Sequence, residues 1–344
     1  MAYTTINKYT DYFVTKLWTG NGSTQNITGL DFQPDLVYLK NRDASNQEPC
    51  IYDAIRGVQQ RLFTSTTGGD SASGTGGLTA FNSDGYTLGS AGNNNGNGVN
   101  YVGWNWLGAN GTSSNTDGSI TSTVSANTTA GFSIVTYTGT GSAATIGHGL
   151  GVAPACIIFK TRNTTSDWFV YHQSTGATNR TKLNQTVASS ASTFIDDTAP
   201  SSTVFNTEGG GATGTNGNTY VAYCFAEKTG YSKFGSYIGN GSNDGTFVYT
   251  GFKPAFLLIK NKGTTENWNI WDNKRDTYNA VESRLYPNLS DAESTSDSND
   301  FDFLSNGFKV RNNGGNQGAS GNTYIYMAFG QSLVGSNNVP CTAR

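Results

Sequence analysis

Residues 32–40 read FQPDLVYLK, and the pattern of this stretch decides the fold. It returns as VAPACIIFK at residues 152–160 and as FKPAFLLIK at residues 252–260. Each copy contains a proline, then Ala or Asp, four apolar residues and a lysine. A recurring pattern predicts an internal repeat, and residues common to all copies are first suspected of holding the repeat together.

Three further landmarks keep the same order in every copy. An aromatic-x-Gly turn precedes the proline, as WTGNGS at 18–23, YTGTGS at 137–142 and YIGNGS at 237–242. An aromatic–polar pair follows the lysine, as Tyr52-Asp53, Tyr171-His172 and Trp271-Asp272. An aromatic strand closes each copy, as YVGWNW at 101–106, YVAYCF at 220–225 and YIYMAF at 324–329. Landmarks in a constant order favour three repeats.

The spacing of apolar residues predicts the fold class. They come in runs of four or alternate with polar residues, and Gly or Asn-Gly turns separate them, which is typical of short antiparallel strands. We therefore predict an all-β chain of three tandem antiparallel β-sandwich repeats, of jelly-roll or lectin-like type. The predicted parts are repeat 1 at 1–108, a Ser/Thr/Gly/Asn-rich linker with room for one strand at 109–130, repeat 2 at 131–230, repeat 3 at 231–334 and a tail at 335–344.

The three prolines predict where strands begin. Pro34, Pro154 and Pro254 are each expected to start a strand, where the missing N–H does little harm. The apolar run after each proline is expected to be buried on both faces. Residues 53–62 and 274–285 have patterns compatible with short helices.

Composition excludes several classes of partner. The 344-residue chain has 21 basic and 24 acidic residues, a net charge of −3 and no basic run, which argues against nucleic acid. No apolar run approaches a membrane span, and no leader-like segment opens the sequence. Cys50, Cys156, Cys224 and Cys341 are too few for a disulfide framework, so free thiols and synthesis in a cytoplasm are expected. A bridge between Cys156 and Cys224 is the alternative if their strands are neighbours.

Residue types that catalysis uses are sparse. His148 lies in a predicted turn, His172 takes a position that holds Asp in the other copies, and neither has a zinc-like spacing. The acidic run at 291–302 could offer oxygens to calcium, although a solvated loop is the simpler interpretation. Asp196 and Asp197 would point to opposite faces of a strand, which disfavours a glycosidase pair. We expect no enzyme, no catalytic residue, no metal and no cofactor.

Aromatic residues are the best candidates for binding, because exposed rings stack on the apolar faces of sugars. Most of them recur at equivalent places and are therefore expected in the core: Trp18, Tyr137 and Tyr237; Trp106, Phe225 and Phe329; Trp168 and Trp268. Tyr278 and Tyr286 have no counterpart and are the better candidates for contacts with a receptor or glycan.

The amino-acid sequences of three stretches resemble those of a known family. Residues 4–8 (TTINK), 118–127 (GSITSTVSAN) and 230–237 (GYSKFGSY) are similar to structural proteins of tailed phages of marine and freshwater bacteria, cyanophages included, which are often called tail-fibre-like. The resemblance extends over essentially the whole chain. It implies a virion protein that is made in the cytoplasm of the bacterial host.

Residues and resemblance together predict a non-enzymatic tail fibre or other appendage that contacts the host surface, with a polysaccharide as the expected ligand. Other virion proteins and further copies of the chain are the expected partners, a trimer being our first expectation. Two alternatives stay open. One is an architectural protein, either a capsid decoration or a fibre anchor, and the other is a glycan-degrading tailspike. Exposed aromatics and carboxylates without counterparts would favour binding, whereas smooth polar loops with a large apolar contact face would favour architecture.

Overall fold

The computed structural model describes residues 4–295, 300–332 and 334. This part of the chain forms 26 strands and two short 3-10 helices, Tyr9–Asp11 and Gly74–Gly76, so the predicted all-β class is confirmed. Neither of these helices, the only ones in the described residues, has the length and apolarity that a membrane span requires. The predicted tail at 335–344 lies outside the described residues.

The first segment, called unit 1, runs from β1 to β9, and two linker strands follow it. Its strands are β1 Phe13–Thr19, β2 Gln25–Thr28, β3 Leu36–Asn41, β4 Cys50–Asp53, β5 Gln60–Phe63, β6 Ser71–Ala72, β7 Leu78–Asn82, β8 Gly85–Leu88 and β9 Asn100–Trp106. The linker strands are β10 Ser113–Asn115 and β11 Ser122–Asn127. The linker thus holds two strands, where the sequence had suggested one.

Units 2 and 3 complete the chain. Unit 2 contains β12 Phe132–Thr138, β13 Ala144–Gly147, β14 Cys156–Thr161, β15 Phe169–His172, β16 Asn179–Lys182, β17 Ser190–Ala191, β18 Val204–Thr207 and β19 Thr219–Phe225. Unit 3 contains β20 Ser232–Ile238, β21 Phe247–Tyr249, β22 Phe252–Asn261, β23 Trp268–Asp272, β24 Phe301–Leu304, β25 Gly307–Val310 and β26 Thr323–Ser332.

Each unit has one large and one small antiparallel sheet. The large sheets have the orders β1-β9-β3-β4-β5-β6, β12-β19-β14-β15-β16-β17 and β20-β26-β22-β23, and β10-β11 extends the second beyond β12. The small sheets have the orders β2-β8-β7, β13-β18 and β21-β25-β24. In every unit the closing strand therefore lies between the first strand and the strand of the Pro-Lys pattern. We expect the three units to superpose.

The apolar runs supply both faces of each large sheet. Val37 and Leu39 of β3 join the core between the two sheets of unit 1, together with Ile27 of the small sheet. Leu36 and Tyr38 point the other way, into a second core. All four residues of the run are buried, as predicted, since strand residues alternate between faces and both faces are covered.

The second core is shared by all three units. It contains apolar residues from the inner face of each large sheet. At its centre, the rings of Trp106, Phe225 and Phe329 form a nearly equilateral triangle with centroid separations of 6.1, 6.0 and 5.8 Å. Trp106 and Phe225 end their closing strands, and Phe329 takes the equivalent position in β26, which continues to Ser332. The predicted core role of the recurring aromatics is confirmed here.

The lysine of each Pro-Lys pattern joins neighbouring units in a ring. Lys160 Nζ donates to the carbonyl of Thr67 at 2.9 Å, and Lys260 Nζ donates to the carbonyl of Thr186 at 2.8 Å. Lys40 of unit 1 closes the ring by donating to the carbonyl of Leu289 in unit 3 at 2.7 Å. All three are buried, and this burial lowers the pKa of each ammonium group to about 8. The lysines therefore serve the interfaces between units.

Two expectations about local structure were wrong. Pro34 and Pro154 stand just before strands β3 and β14, but Pro254 lies inside β22, at a register shift. The strand starts earlier because Phe252 pairs with the extended end of β26. The expected helices at 53–62 and 274–285 are turns and short extended pieces, since each segment follows a strand and turns back to pair with it.

Candidate functional site

The structure places both histidines in structural roles. His148 is buried, its Nε2 lies 3.2 Å from the carbonyl of Ser201, and its Nδ1 accepts the N–H of Leu150. Burial lowers the pKa of this imidazole. Both ring nitrogens therefore have backbone partners, and no nucleophile or acid partners the ring among the described residues.

His172 lies at the interface between units 2 and 3. Its Nε2 donates to the carbonyl of Tyr326 at 3.0 Å, and its Nδ1 accepts the N–H of Ser174 at 3.2 Å. The side chain is 2% exposed, and burial lowers its pKa to about 4. The imidazole is therefore neutral at physiological pH and acts as a hydrogen-bond bridge.

The equivalent positions in the other units explain this histidine. Asp53 accepts a hydrogen bond from Tyr223 Oη at 2.7 Å, and Asp272 accepts one from Trp104 Nε1 at 3.1 Å. At the third interface the corresponding side chain is Met327, which has no proton to donate. His172 replaces the carboxylate there and donates to backbone instead. The aromatic–polar pairs are thus contacts between units.

The buried histidine makes stability depend on pH. The unfolded chain takes up a proton near pH 6.5, whereas folded His172 stays neutral down to about pH 4, so stability falls between these values. Relative to His172→Gln, the wild type should lose about 2–3 kcal/mol more between pH 7 and pH 4.5, measured by urea unfolding. His148 contributes equally to both proteins. The same pH dependence in both would contradict the assignment.

Three carboxylates of the acidic run, those of Glu293, Asp300 and Asp302, have structural partners. Glu293 pairs with Arg42 at 2.7 Å and Arg275 at 2.8 Å, and buried Asp300 accepts Trp271 Nε1 at 2.9 Å. No group of three metal-ligating side chains occurs among the described residues. The part of the run at 296–299, with Asp297, lies outside the described residues.

The remaining suspected groups lie apart from one another. Asp196 and Asp197 are exposed and occupy a turn with positive φ, and not a strand as expected. Cys50, Cys156 and Cys224 are free and buried, while Cys341 lies outside the described residues. Strands β14 and β19 are indeed neighbours, but Cys156 points into the shared core and Cys224 into the core of unit 2.

An exposed apolar surface distinguishes unit 3. Phe247 and Tyr249 of β21 are 45% and 57% exposed, while Val248 between them is buried, so both rings stand on the outer face of the small sheet. Ile238 at the end of β20 is 61% exposed, and Thr246 Oγ1 donates to its carbonyl at 2.7 Å. We call this surface, with Leu304, Gly307 and Lys309 opposite the rings, the outer face of unit 3.

The same positions are polar or small in the other units. Ile27, Ile146 and Val248 are buried equivalents in their small sheets, each paired with an aromatic residue of the next strand. The flanking residues are Asn26 and Thr28 in unit 1, Thr145 and Gly147 in unit 2, and Phe247 and Tyr249 in unit 3. Gly147 is buried beneath Asn115 of the linker. The fold therefore does not require the two aromatic rings at this face.

Charged groups border the rings. Lys309 stands opposite both Phe247 and Asp302, and its ammonium group pairs with Asp244. Arg311 Nε lies 3.5 Å from Asp302 Oδ2. The hydrogen bonds of Lys309 lower the pKa of exposed Asp244. Two acids and two bases give this border no net charge and many hydrogen-bonding groups, which suits a neutral ligand rich in hydroxyls.

The two aromatic candidates from the sequence have different surroundings. Tyr278 is 79% exposed and lies beside β24, because the side chain of its neighbour Asn279 bonds both backbone groups of Phe303 in that strand. Tyr286 is half-buried under Arg284, whose guanidinium lies 5.4 Å from the ring centre. Tyr278 is therefore the stronger of the two. The sequence did not single out Ile238, Phe247 or Tyr249.

Comparison with known proteins gives a family without an assigned activity. A family model described as "Domain of unknown function (DUF7483)" matches residues 8–332, which spans all three units. No curated protein matches the chain.

Proposed function

The chain belongs to the DUF7483 family. We propose that it is a non-enzymatic structural protein of a tailed-phage virion, acting as a tail fibre or other appendage, as the resemblance of its sequence implies. The outer face of unit 3 would contact the host surface, with polysaccharide as the ligand. The observation that carries this proposal is the pair of exposed rings, Phe247 and Tyr249, at positions that are polar or small in units 1 and 2. Exposed aromatic patches that the fold does not need are typical of binding surfaces.

The chemistry of the face supports a sugar ligand. Aromatic rings offer flat apolar surfaces to the C–H faces of sugars, and the paired charges of Lys309, Asp302 and Arg311 offer donors and acceptors to hydroxyls. The carboxylates of this border are held in ion pairs, so neither is free to act as the acid of a glycosidase. Weak single sites gain avidity from several copies, which agrees with a proposed trimer or a symmetric mount on the particle.

Binding to host cells tests the proposal. The double variant Phe247→Asn/Tyr249→Thr has the same residue types that unit 1 has at the equivalent positions, Asn26 and Thr28, and should fold normally. It should bind host cells or extracted envelope polysaccharide roughly ten-fold or more weakly than the wild type, because anchoring aromatics dominate such contacts. Binding of fluorescently labelled protein is measured by flow cytometry, and unfolding temperature reports the fold.

A matched control replaces exposed apolar residues elsewhere. Val152→Thr/Val187→Thr removes two side chains that are 42% and 41% exposed in unit 2 and should bind like the wild type. Equal binding by the Phe247/Tyr249 variant would remove the outer face from the proposal. Absence of any binding would favour the decoration or anchor protein, and oligosaccharides released from the polysaccharide would favour the tailspike.

A further inference from the structure

The three units have equivalent edge strands, and two of these edges are covered. β1, β12 and β20 each lie at the outer side of the closing strand of their unit. In unit 2 the linker strand β11 pairs with β12, and Ser125 stands opposite Ile134. In unit 3 the N–H of Phe234 donates to Glu227 Oε1 at 2.9 Å, and its carbonyl accepts the amide of Gln173.

The equivalent residue in unit 1 is Thr15. It faces Trp104 of the closing strand, as Ile134 faces Tyr223 and Phe234 faces Met327. The outward backbone groups of Thr15 bond no residue that the structure describes. Its hydroxyl Oγ1 is buried and has no hydrogen-bond partner, and the residue as a whole is only 5% exposed.

An open groove runs along this edge. It has a volume of about 400 Å³, and Thr15 and Leu17 line it on the β1 side. Lys8, Lys16, Lys274 and Asp31 also line the groove. Asp84 lies beside it and accepts the N–H groups of Gly29 and Asp31. Lys8 pairs with Asp31 at 3.3 Å and with Asp11 at 3.4 Å, whereas Lys16 and Lys274 form no ion pair with a described residue. The two lysines without an ion pair therefore suit an occupant that carries an acidic side chain.

Unit 2 indicates how such an occupant would lie. There Val124 of β11 stands opposite Val135 of β12, and both are buried. Lys16 takes the place of Val135 in unit 1, since Val135 pairs with Ala222 and Lys16 with Gly103 of the closing strands. A strand laid on β1 in the manner of β11 would therefore place one side chain opposite Lys16. A carboxylate suits that position, because opposite charges facing each other across two strands attract.

We propose that the β1 edge of unit 1 is a docking site for an extended segment of a partner protein, which adds a strand to the sheet and places an acidic side chain opposite Lys16. Main-chain hydrogen bonds to Thr15 would give affinity, and the lysines of the groove would favour segments that carry an acidic side chain. This site is independent of the outer face of unit 3. It gives the chain a second surface, through which it joins another protein.

A peptide copied from the chain itself provides the probe. Fluorescein-labelled residues 119–128 with Val124→Glu should bind the wild-type protein, as measured by fluorescence anisotropy. The same peptide with Val124→Lys should bind roughly ten-fold or more weakly, because like charges would face each other. Hydrogen–deuterium exchange should show new protection in β1 when the Glu peptide is bound. Equal binding of the two peptides, or no binding of either, would overturn the proposal. Lys16 would then be a charged residue that prevents other strands from pairing with this edge.

Variants of the protein locate the site. Thr15→Pro removes the outward N–H and should abolish binding of the Glu peptide. Val152→Thr/Val187→Thr changes no residue of the groove and should bind like the wild type. If Thr15→Pro does not fold, Lys16→Glu provides the second test, because it should reverse the preference between the two peptides. Binding that neither substitution changes would place the peptide elsewhere. Self-association that Lys16→Glu abolishes would overturn the assignment of a different partner and favour a second copy of this chain.

Discussion

Phe329→Ala is expected to lower the free energy of unfolding by about 3–5 kcal/mol, the usual range for removing a buried aromatic side chain. The ring is 1% exposed and lies 5.8 Å from Trp106 and 6.0 Å from Phe225, measured between ring centroids. It therefore contacts all three units at the centre of the shared core. Chemical denaturation followed by tryptophan fluorescence measures the loss.

The same experiment tests whether the units unfold together. Because the shared core joins them, the variant and the wild type should each unfold in a single transition. Tyr278→Ala provides the control, since that ring is 79% exposed and its removal should change stability by only about 0.5 kcal/mol. Separate transitions for the units, or a loss below about 1 kcal/mol for Phe329→Ala, would contradict the shared core.

Asp53→Asn is expected to cost about 3–5 kcal/mol, because it leaves a buried charge without its main partner. The Asp53 carboxylate accepts Arg56 Nε and Tyr223 Oη, and the side chains of Asp53 and Arg56 are both inaccessible to solvent. The amide of Asn would turn a donor toward these donors. Arg56 keeps its second partner Asp70 at 3.0 Å, which favours the lower end of the range.

The matched control is the same substitution at the surface. Asp31→Asn weakens the ion pair with Lys8. The side chain of Lys8 is 56% exposed and that of Asp31 is 73% exposed, so the substitution should lower the free energy of unfolding by less than about 1 kcal/mol. Asn also tolerates the positive φ of 65° at this position. Urea unfolding of the three proteins at pH 7 measures the difference. A similar loss for both substitutions would show that the buried pair has no special role.

Much of the core could be predicted from the sequence. The recurring aromatics are buried, and so are the apolar runs after the prolines except for half-buried Ile158, because a strand covered on both faces needs apolar residues throughout. The position of Pro254 could not be predicted, since it depends on how far β26 extends as its partner. The role of His172 was hidden for the same reason. Its partner Tyr326 belongs to another unit, and the sequence around His172 does not show which unit it contacts.

The candidate sites were harder to find. Phe247 lies seven residues before its proline, whereas Asn26 lies eight and Thr145 nine residues before theirs, so unequal loops hide the equivalence of these positions. Only the strand pairing of Val248, Ile27 and Ile146 aligns them. The uncovered edge at Thr15 was equally hidden, because it is recognised by comparison with the covered edges of units 2 and 3. Tyr278 could be selected from the sequence because it has no counterpart.

The proposed place of the protein on a phage particle tests the central claim most directly. Antibody fragments against unit 3, imaged on intact particles by cryo-electron microscopy, should label the tail or its fibres and should reduce adsorption of the particles to host cells. Fragments bound to the outer face should be displaced by host polysaccharide. Label confined to the capsid shell, with unchanged adsorption, would contradict host contact and assign the chain to the capsid surface.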